Sequence, residues 1–462
     1  MTSHARSRDG ETPGRGFHPE WYRDPYVHLQ ALLVLSVALG GGGVGYGLRN
    51  LAIQLAALLV LAANRAAVAQ FVKTAPRALI LLVIVSVMLP LVQLVPLPPA
   101  LWRSLPGREV VVQSLDIAGA SSSAWYPVSL DRARTLVAFC GTIAPAALIV
   151  VGSGLPIAGK LRLAWTFVLA AMAAFLLGAA QLVSANSSGL LFPITPKPDV
   201  LYATFANRNS TGLFFALAAL ACGFLATTGR RAILPATIGG ILLALGTVLT
   251  QSRSSMGLLA VVLVFTLIVI AGHLVRTEHA PREASVEPRR WPVVAALAAV
   301  LFVGVAAALS LSGGGRIAAS AERLSNLATD RPEVWEDGLY AAGVYWPAGS
   351  GVGTFDEVFQ LHESLEYVSP RRAGRAHQDY IELAIEAGPA GLFIAAGWIG
   401  WIAWASLAAF PTRRRWIALG AGTGLAMIAM QSLVDYPLRC QTLLCVGALL
   451  VVFLARNRDA TE

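Results

Sequence analysis

The sequence predicts an all-α polytopic membrane protein, and three observations predict it. The composition is apolar beyond what a soluble chain carries, apolar runs of spanning length recur from Val27 to Leu454, and basic residues gather between alternate runs. Of 462 residues, 56% are apolar and only 13% charged, whereas a soluble chain carries about a quarter charged residues. A spanning helix needs roughly 20 mostly apolar residues. The excess therefore matches lipid and not one oversized core.

In order, the runs that read as spans are 27–47, 51–71, 78–95, 133–152, 163–183, 210–228, 232–250, 255–275, 292–311, 390–409, 415–434 and 437–455. That makes about twelve transmembrane helices. Residues 1–26 are polar and hold Gly, Pro and arginines without the apolar region of a cleavable signal. They read as a disordered cytoplasmic tail, and 456–462 as a second one. Spans 1–9 then occupy 27–311 and spans 10–12 occupy 390–455.

Lys and Arg set the orientation. With the N-terminus inside and strict alternation, the cytoplasmic segments hold twenty basic residues, including Lys73, Arg77, Lys160, Arg162, Arg230, Arg231 and Arg413 to Arg415. The short outer loops hold five: Arg49, Lys197, Arg208, Arg253 and Arg439. Both termini are therefore expected in the cytoplasm. The net charge of +9 is spread in these small groups, which encodes topology and argues against a nucleic-acid partner. Four cysteines at 140, 222, 440 and 445 show no paired metal spacing and read as core residues.

Two outer segments are long. Residues 96–132 are rich in Pro and Ser and contain Trp102 and Trp125. Residues 312–389 are expected to form a helical periplasmic cap, with helix-like stretches at 316–328 and 331–346, a glycine-rich turn, and a further polar helix. So long a loop is uncommon unless functional or disordered, and its aromatics (Trp335, Tyr340, Tyr345, Trp346, Phe355, Phe359, Tyr367) argue against disorder.

Chemistry is expected around His377, which lies between Arg371, Arg372, Arg375 and a helix start. Asp379 with Glu382 reads as a capping pair, which places the imidazole beside a positive helix end. The dipole there disfavours imidazolium, and a neutral histidine can accept a proton as a general base. A lone loop histidine is more often an ordinary surface residue. Here, however, the polar helix after it stops at Gly388-Pro389, where a span begins, and that holds His377 near the interface. Arg253 in Gln251-Ser252-Arg253-Ser254-Ser255 and Arg208 in Asn207-Arg208-Asn209 stand at span ends on the outer side, against the topological bias. Such residues can snorkel to headgroups, but charges facing a bundle interior are by default site candidates, and guanidinium forks suit a diphosphate. Arg331 is a third candidate. The turn Gly349-Ser350-Gly351-Val352-Gly353 has no following Gly-Lys-Ser/Thr, so it is not a phosphate-binding loop; it reads as a structural turn beneath the site. Asp435 reads as structural and close enough to pair with Arg439. No Asp-x-Asp motif points to a metal-held diphosphate.

His377-Gln378, nine residues, Gly388, two residues, Gly391 resembles the signature of bacterial O-antigen ligases. Their superfamily includes O-antigen and exopolysaccharide polymerases and O-linked protein oligosaccharyltransferases. The Asn207-Arg208-Asn209 start, Ser252-Arg253-Ser254, Arg331…Trp335, the glycine turn and Ser432-Leu433-Val434-Asp435-Tyr436-Pro437-Leu438 are similar too, so the resemblance covers about 200–440. It implies an inverting, metal-independent glycosyltransferase of the bacterial inner membrane with its active face periplasmic. The donor would be a glycan on undecaprenyl diphosphate, without a cofactor. By similarity His377 would act as base toward an acceptor hydroxyl or position it, and Arg253 and Arg331, with Arg208 assisting, would hold the diphosphate. Asn207, Asn209, Gln378, Gly388 and Gly391 would support them. The acceptor would be lipid A-core or a growing polysaccharide, with polysaccharide assembly proteins as further partners and membrane lipid around the bundle. An O-linked protein oligosaccharyltransferase is the near alternative. A non-catalytic flippase or exporter of lipid-linked glycan is the distant one; it predicts internal repeats and deep charges, and the sequence shows no repeat.

Overall fold

The computed structural model describes residues 23–42, 47–184, 197–278, 331–366, 372–412 and 414–455. The expected span at 292–311, the stretch at 316–328 and the tail at 456–462 lie outside these. Helices dominate in the order α1 (Pro25–Leu39), α2 (Gly47–Ala63), α3 (Arg65–Thr74), α4 (Arg77–Val92), α5 (Pro99–Arg103), α6 (Glu109–Ile117), α7 (Arg132–Ser153), α8 (Ile157–Val183) and α9 (Arg208–Leu225). They continue as α10 (Arg230–Leu249), α11 (Arg253–Glu278), α12 (Arg331–Tyr345), α13 (Phe355–Phe359), α14 (Asp379–Ala409), α15 (Arg415–Gln431) and α16 (Gln441–Leu454). Two-residue strands β1 (Pro96–Leu97) and β2 (Tyr126–Pro127) pair antiparallel and close the loop that carries α5 and α6.

Among the described residues six helices, α7 to α11 and α14, are long and apolar enough to cross a membrane. Helices α1, α4 and α16 are apolar but shorter, and α15 has 17 residues. The expected second span is not one straight helix. Helices α2 and α3 bend by 78° at Asn64, whose amide nitrogen donates to the Val60 carbonyl (2.7 Å) and lies 2.9 Å from His28 Nδ1. A side chain that bonds the backbone one turn back competes with the helical ladder and bends it.

The helix starts are written locally. The Asp24, Asp131 and Asn207 side chains each accept a backbone N–H at the heads of α1, α7 and α9. Helix α9 is the axis of the bundle, buried nearly throughout and packed by α8, α10, α11 and α15. Its phenylalanines meet those of α8 edge to face, Phe167–Phe214 at 5.5 Å and Phe175–Phe215 at 6.2 Å between ring centres.

Alternation brings the expected outer segments to one end. Thr442 N donates to Gly40 O, Ala206 N to Gly41 O, Leu201 N to Leu249 O, and Gln93 Nε2 to Glu386 O. At the opposite end Lys160 caps α16, donating to Val452 O (2.9 Å) and Ala455 O (3.3 Å).

A second hydrophobic cluster stands apart from the bundle core. It joins Ala341, Tyr345, Phe355, Phe359, Ala376 and Ile385, with Leu130 packed against it. The buried Arg108 ties the two segments expected to be outer, donating to Val128 O, Pro106 O and Gly349 O with its guanidinium over the Tyr345 ring. Desolvation pushes its pKa down to about 10. The glycine turn sits beneath α14 as expected: Ser350 N donates to Ile385 O (3.0 Å), Gly351 N to Glu386 O (2.9 Å), and Val352 N to Gln93 Oε1 (2.8 Å). A side chain on Gly349, whose φ is +76°, would strike the Glu386 carbonyl at 2.4 Å.

Candidate active site

Three helix starts and one turn converge at this end. Helix α14 begins directly after His377, but its cap is Gln378, whose side chain accepts the Ile381 N–H at 2.6 Å. The expected Asp379–Glu382 capping pair does not form. Asp379 lies inside the helix and takes Ser432 Oγ (2.9 Å) and Leu438 N (3.1 Å) on one carboxylate oxygen. Glu382 turns back to the Ala376 N–H (3.0 Å) and Arg375 (3.0 Å). Gln378 reaches the orphan amide first, so the acids are free for longer-range partners.

At Gly388 the polar turns of α14 end, with φ +55° and ψ −146° inside the long helix. An added Cβ there would stand 2.3 Å from the Pro347 carbonyl. Gly391 packs where a Cβ would meet Leu383 and Ala387 at 2.7–2.8 Å. The two glycines of the His-to-Gly motif thus set the break and the close packing around it.

His377 is the residue the geometry singles out. Its Nδ1 lies 3.3 Å from Asp435 Oδ1, and its side chain is 40% exposed while that of Asp435 is 1% exposed. The carboxylate, having no hydrogen of its own, accepts from Nδ1–H. With Nδ1–H donating, the ring lone pair is on Nε2, and that is the tautomer a general base needs. Asn207 Nδ2 approaches the same carboxylate at 3.3 and 3.5 Å, and the Tyr436 ring lies 5.0 Å from the imidazole. Burial, with Asp435 beside it, pushes the Tyr436 phenol up to about 12 against the Asn207 hydrogen bond, so it remains a neutral donor.

The expectation that Asp435 pairs with Arg439 is overturned. Arg439 turns to α14: Glu386 Oε2 at 2.7 Å, Glu382 Oε2 at 3.2 Å and Asp379 Oδ1 at 3.8 Å. Burial alone would lower its pKa, and these three carboxylates more than reverse that, holding it above the ordinary value. Asp435 as the partner of His377 is what sequence reading missed; its signal was an acid in the turn between two apolar runs, within the Ser432–Leu438 segment that carries the resemblance.

Asn207, Arg208 and Asn209 form the head of α9: Asn207 Oδ1 caps Asn209 N at 2.9 Å, and Arg208 opens the helix, half-buried. Arg253, also half-buried, opens α11. The two heads are joined by Ser255 Oγ donating to Asn209 O (3.1 Å), and α11 is joined to α15 by Gln431 Nε2 donating to Ser254 Oγ (2.9 Å). Arg208 and Arg253 thus stand at adjacent helix N-termini, where aligned peptide dipoles favour anions. Arg331 opens α12, and about one turn along it Trp335 Nε1 donates to Ala376 O (2.9 Å), the residue before His377.

Strain collects here. His377, Gln251 and Ala203 have φ of +52° without being glycine. They lie beside the Asp435 contact, the α11 head and the loop under the α9 head. Such outliers persist only where surroundings over-determine them. No group of three His, Cys, Asp or Glu among the described residues is set to hold a metal ion.

The chemistry on offer is proton acceptance by a histidine oriented by a buried carboxylate, beside helix heads that carry arginines. No curated protein matches the chain. Residues 238–396, which run from α10 through α12 and His377 into α14, match the O-antigen ligase family, and over that stretch the chain is similar to the O-antigen ligase and polymerase superfamily.

Proposed function

We propose that the protein is a membrane glycosyltransferase of the ligase or polymerase type, moving a glycan from undecaprenyl diphosphate to an acceptor hydroxyl at the periplasmic face of the bacterial inner membrane. The observation that carries this reading is His377, half-exposed, with Nδ1 on the buried Asp435. In the reaction His377 Nε2 takes the acceptor O–H proton. The acceptor oxygen bonds to the anomeric carbon from the face opposite the diphosphate, and the bond from that carbon to the diphosphate oxygen breaks, inverting the centre. Negative charge grows on the leaving group, and Arg253, Arg208 and Arg331 are assigned to hold it, in the role a preorganised cation plays elsewhere. Asn207 and Asn209 keep the α9 head in place, Gln378 caps the helix behind the base, and Gly388 and Gly391 let that helix break at the membrane. The arginines supply the cationic charge, so the reaction is expected to need no metal. Lipid A-core or a growing polysaccharide is the proposed acceptor, and both termini are assigned to the cytoplasm.

The test is transfer from purified lipid-linked donor by His377→Ala, with membrane insertion and thermal stability checked. A general base contributes about 10²–10⁴-fold, so a loss of that size is expected. Transfer at the wild-type rate would sink the catalytic reading and leave an exporter. Core lipid, a second lipid-linked glycan and a protein, offered in parallel, identify the acceptor, and EDTA should leave the rate unchanged.

A further inference from the structure

The Asp435–His377 pair sits in a frame whose ionic centre is Arg439, a residue outside the proposed chemistry. Asp379, Glu382 and Glu386 recur at intervals of three and four and so line one face of the polar turns of α14. All three are buried, and without a cation they would repel one another. Arg439 meets all three, within 2.7 Å of Glu386 and 3.2 Å of Glu382. In sequence Arg439 stands four residues from Asp435 and could have neutralised it. In the fold, the α14 carboxylates take the guanidinium, and Asp435 keeps its carboxylate for His377 and Asn207.

The frame is closed on both sides of the imidazole. The turn carrying Asp435 and Tyr436 is fastened to Asp379 at each end: Asp379 N donates to Ser432 O (2.9 Å), Ser432 Oγ and Leu438 N donate to Asp379 Oδ2. Before His377, the Ala376 N–H and Arg375 are held by Glu382. A left-handed residue is thereby pinned from Ala376 to Asp379, and the carboxylate facing it is pinned from Ser432 to Arg439.

We infer that Arg439 is a positioning residue for the proposed base: by gathering Glu386, Glu382 and Asp379 it draws α14 and the 432–440 turn together and leaves Asp435 to orient His377. This rests on the reading of His377 as general base. It distinguishes Arg439 from Arg253, Arg208 and Arg331, which are assigned to the donor.

The experiment uses the full-length protein in lipid nanodiscs with a lipid-linked glycan donor, and separates kcat from donor KM. Arg439→Gln is expected to lower kcat about tenfold or more with donor KM within about twofold, because the loss is in orientation of the base and not in donor binding. Arg439→Lys should recover part of that kcat, since it restores charge without the fork. In the Asp435→Asn background, Arg439→Gln should cost under about twofold further, because both act through one imidazole. A raised donor KM with kcat preserved, or full additivity with Asp435→Asn, would overturn the inference and make Arg439 a donor ligand or a general structural residue. Should Arg439→Gln fail to insert, Glu386→Gln, which removes the nearest partner and keeps the shape, takes its place in the same cycle with the same two outcomes. His377→Ala, run beside them, keeps the readings apart. An active His377→Ala removes the base itself, whereas an inactive one with additive Arg439→Gln removes only the positioning role.

Discussion

Helices α9 and α14 both begin at the candidate site, and they are held there by different means. Of the most apolar 18-residue stretch, 78% is buried in α9 and only 17% in α14. Helix α9 is fixed along its length by packing against α8, α10, α11 and α15, so Asn207 at its head inherits a position set by apolar contacts. Helix α14 faces outward over most of its span, and its head is set instead by ions and hydrogen bonds at Asp379, Glu382 and Glu386. The Gly388 break separates those polar turns from the spanning part. The difference teaches that the α9 head, with Arg208 on it, rests on the bundle, while the proposed base rests on a polar frame. The second support is more directional and more easily undone by removing one charge.

The largest effect should follow from Glu382→Gln. Glu382 is fully buried and serves Arg439, Arg375 and the Ala376 N–H together. Breaking a buried, hydrogen-bonded ion pair costs about 3–5 kcal/mol, so the variant should melt well below the wild type in detergent and lose transfer activity. A variant that retains both would show that packing, and not the frame, holds the α14 head.

Gly388→Ala attacks the same helix through its backbone. A left-handed φ in a residue other than glycine costs of order 1–3 kcal/mol, and the new Cβ would meet the Pro347 carbonyl, a backbone atom that no rotamer change can move. The expected result is a lowered melting temperature together with lost transfer. Unchanged activity would mean that the break is incidental to the placement of His377.

How much of this was legible in the sequence divides along the same line. The α9 head was readable as a span start because Asn207-Arg208-Asn209 stands before an apolar run, and the α14 break because Gly388-Pro389 acts through local dihedrals. That the segments between alternate apolar runs meet at one end was readable from the succession of those runs. Partners in space were not. Asp435 and Arg439 are four residues apart, and sequence shows only that separation; three acids on a neighbouring helix decide the pairing, and their facing emerges only when α14 folds. The bend at Asn64 was hidden for a related reason, since an asparagine within an apolar run becomes a breaker only when its amide finds the Val60 carbonyl and His28. Gln378 as a cap was masked by the better-known acid pair beside it.

On the α9 side a polar deletion should matter less. Ser255→Ala removes the donor to Asn209 O at the junction of α9 and α11 and the acceptor of Ser252 Oγ, and each hydrogen bond is worth about 1 kcal/mol net. A small fall in melting temperature is expected, with any kinetic change in donor KM, because Arg208 and Arg253 flank this junction. If Ser255→Ala costs as much as Glu382→Gln, the contrast between a packed head and an ionic head fails.

The smallest effect belongs to the second hydrophobic cluster, where His362 Nε2 meets the Tyr345 hydroxyl at 3.0 Å with rings 5.4 Å apart. Burial holds the His362 pKa below its ordinary value. Its folded pKa is then below the unfolded one, so the unfolded chain takes up the proton first as pH falls. Stability from this site is complete above the ordinary histidine value of about 6.5 and is lost below it. The informative quantity is a difference between two proteins, which cancels whatever the other groups contribute. Melting temperature should fall more steeply between about pH 7 and pH 5 in the wild type than in His362→Gln, which keeps a hydrogen-bonding amide without a titrating ring. Parallel slopes would mean that the contact with Tyr345 adapts to the proton. The second cluster would then be held by its apolar core and by Arg108, with no contribution from the state of His362.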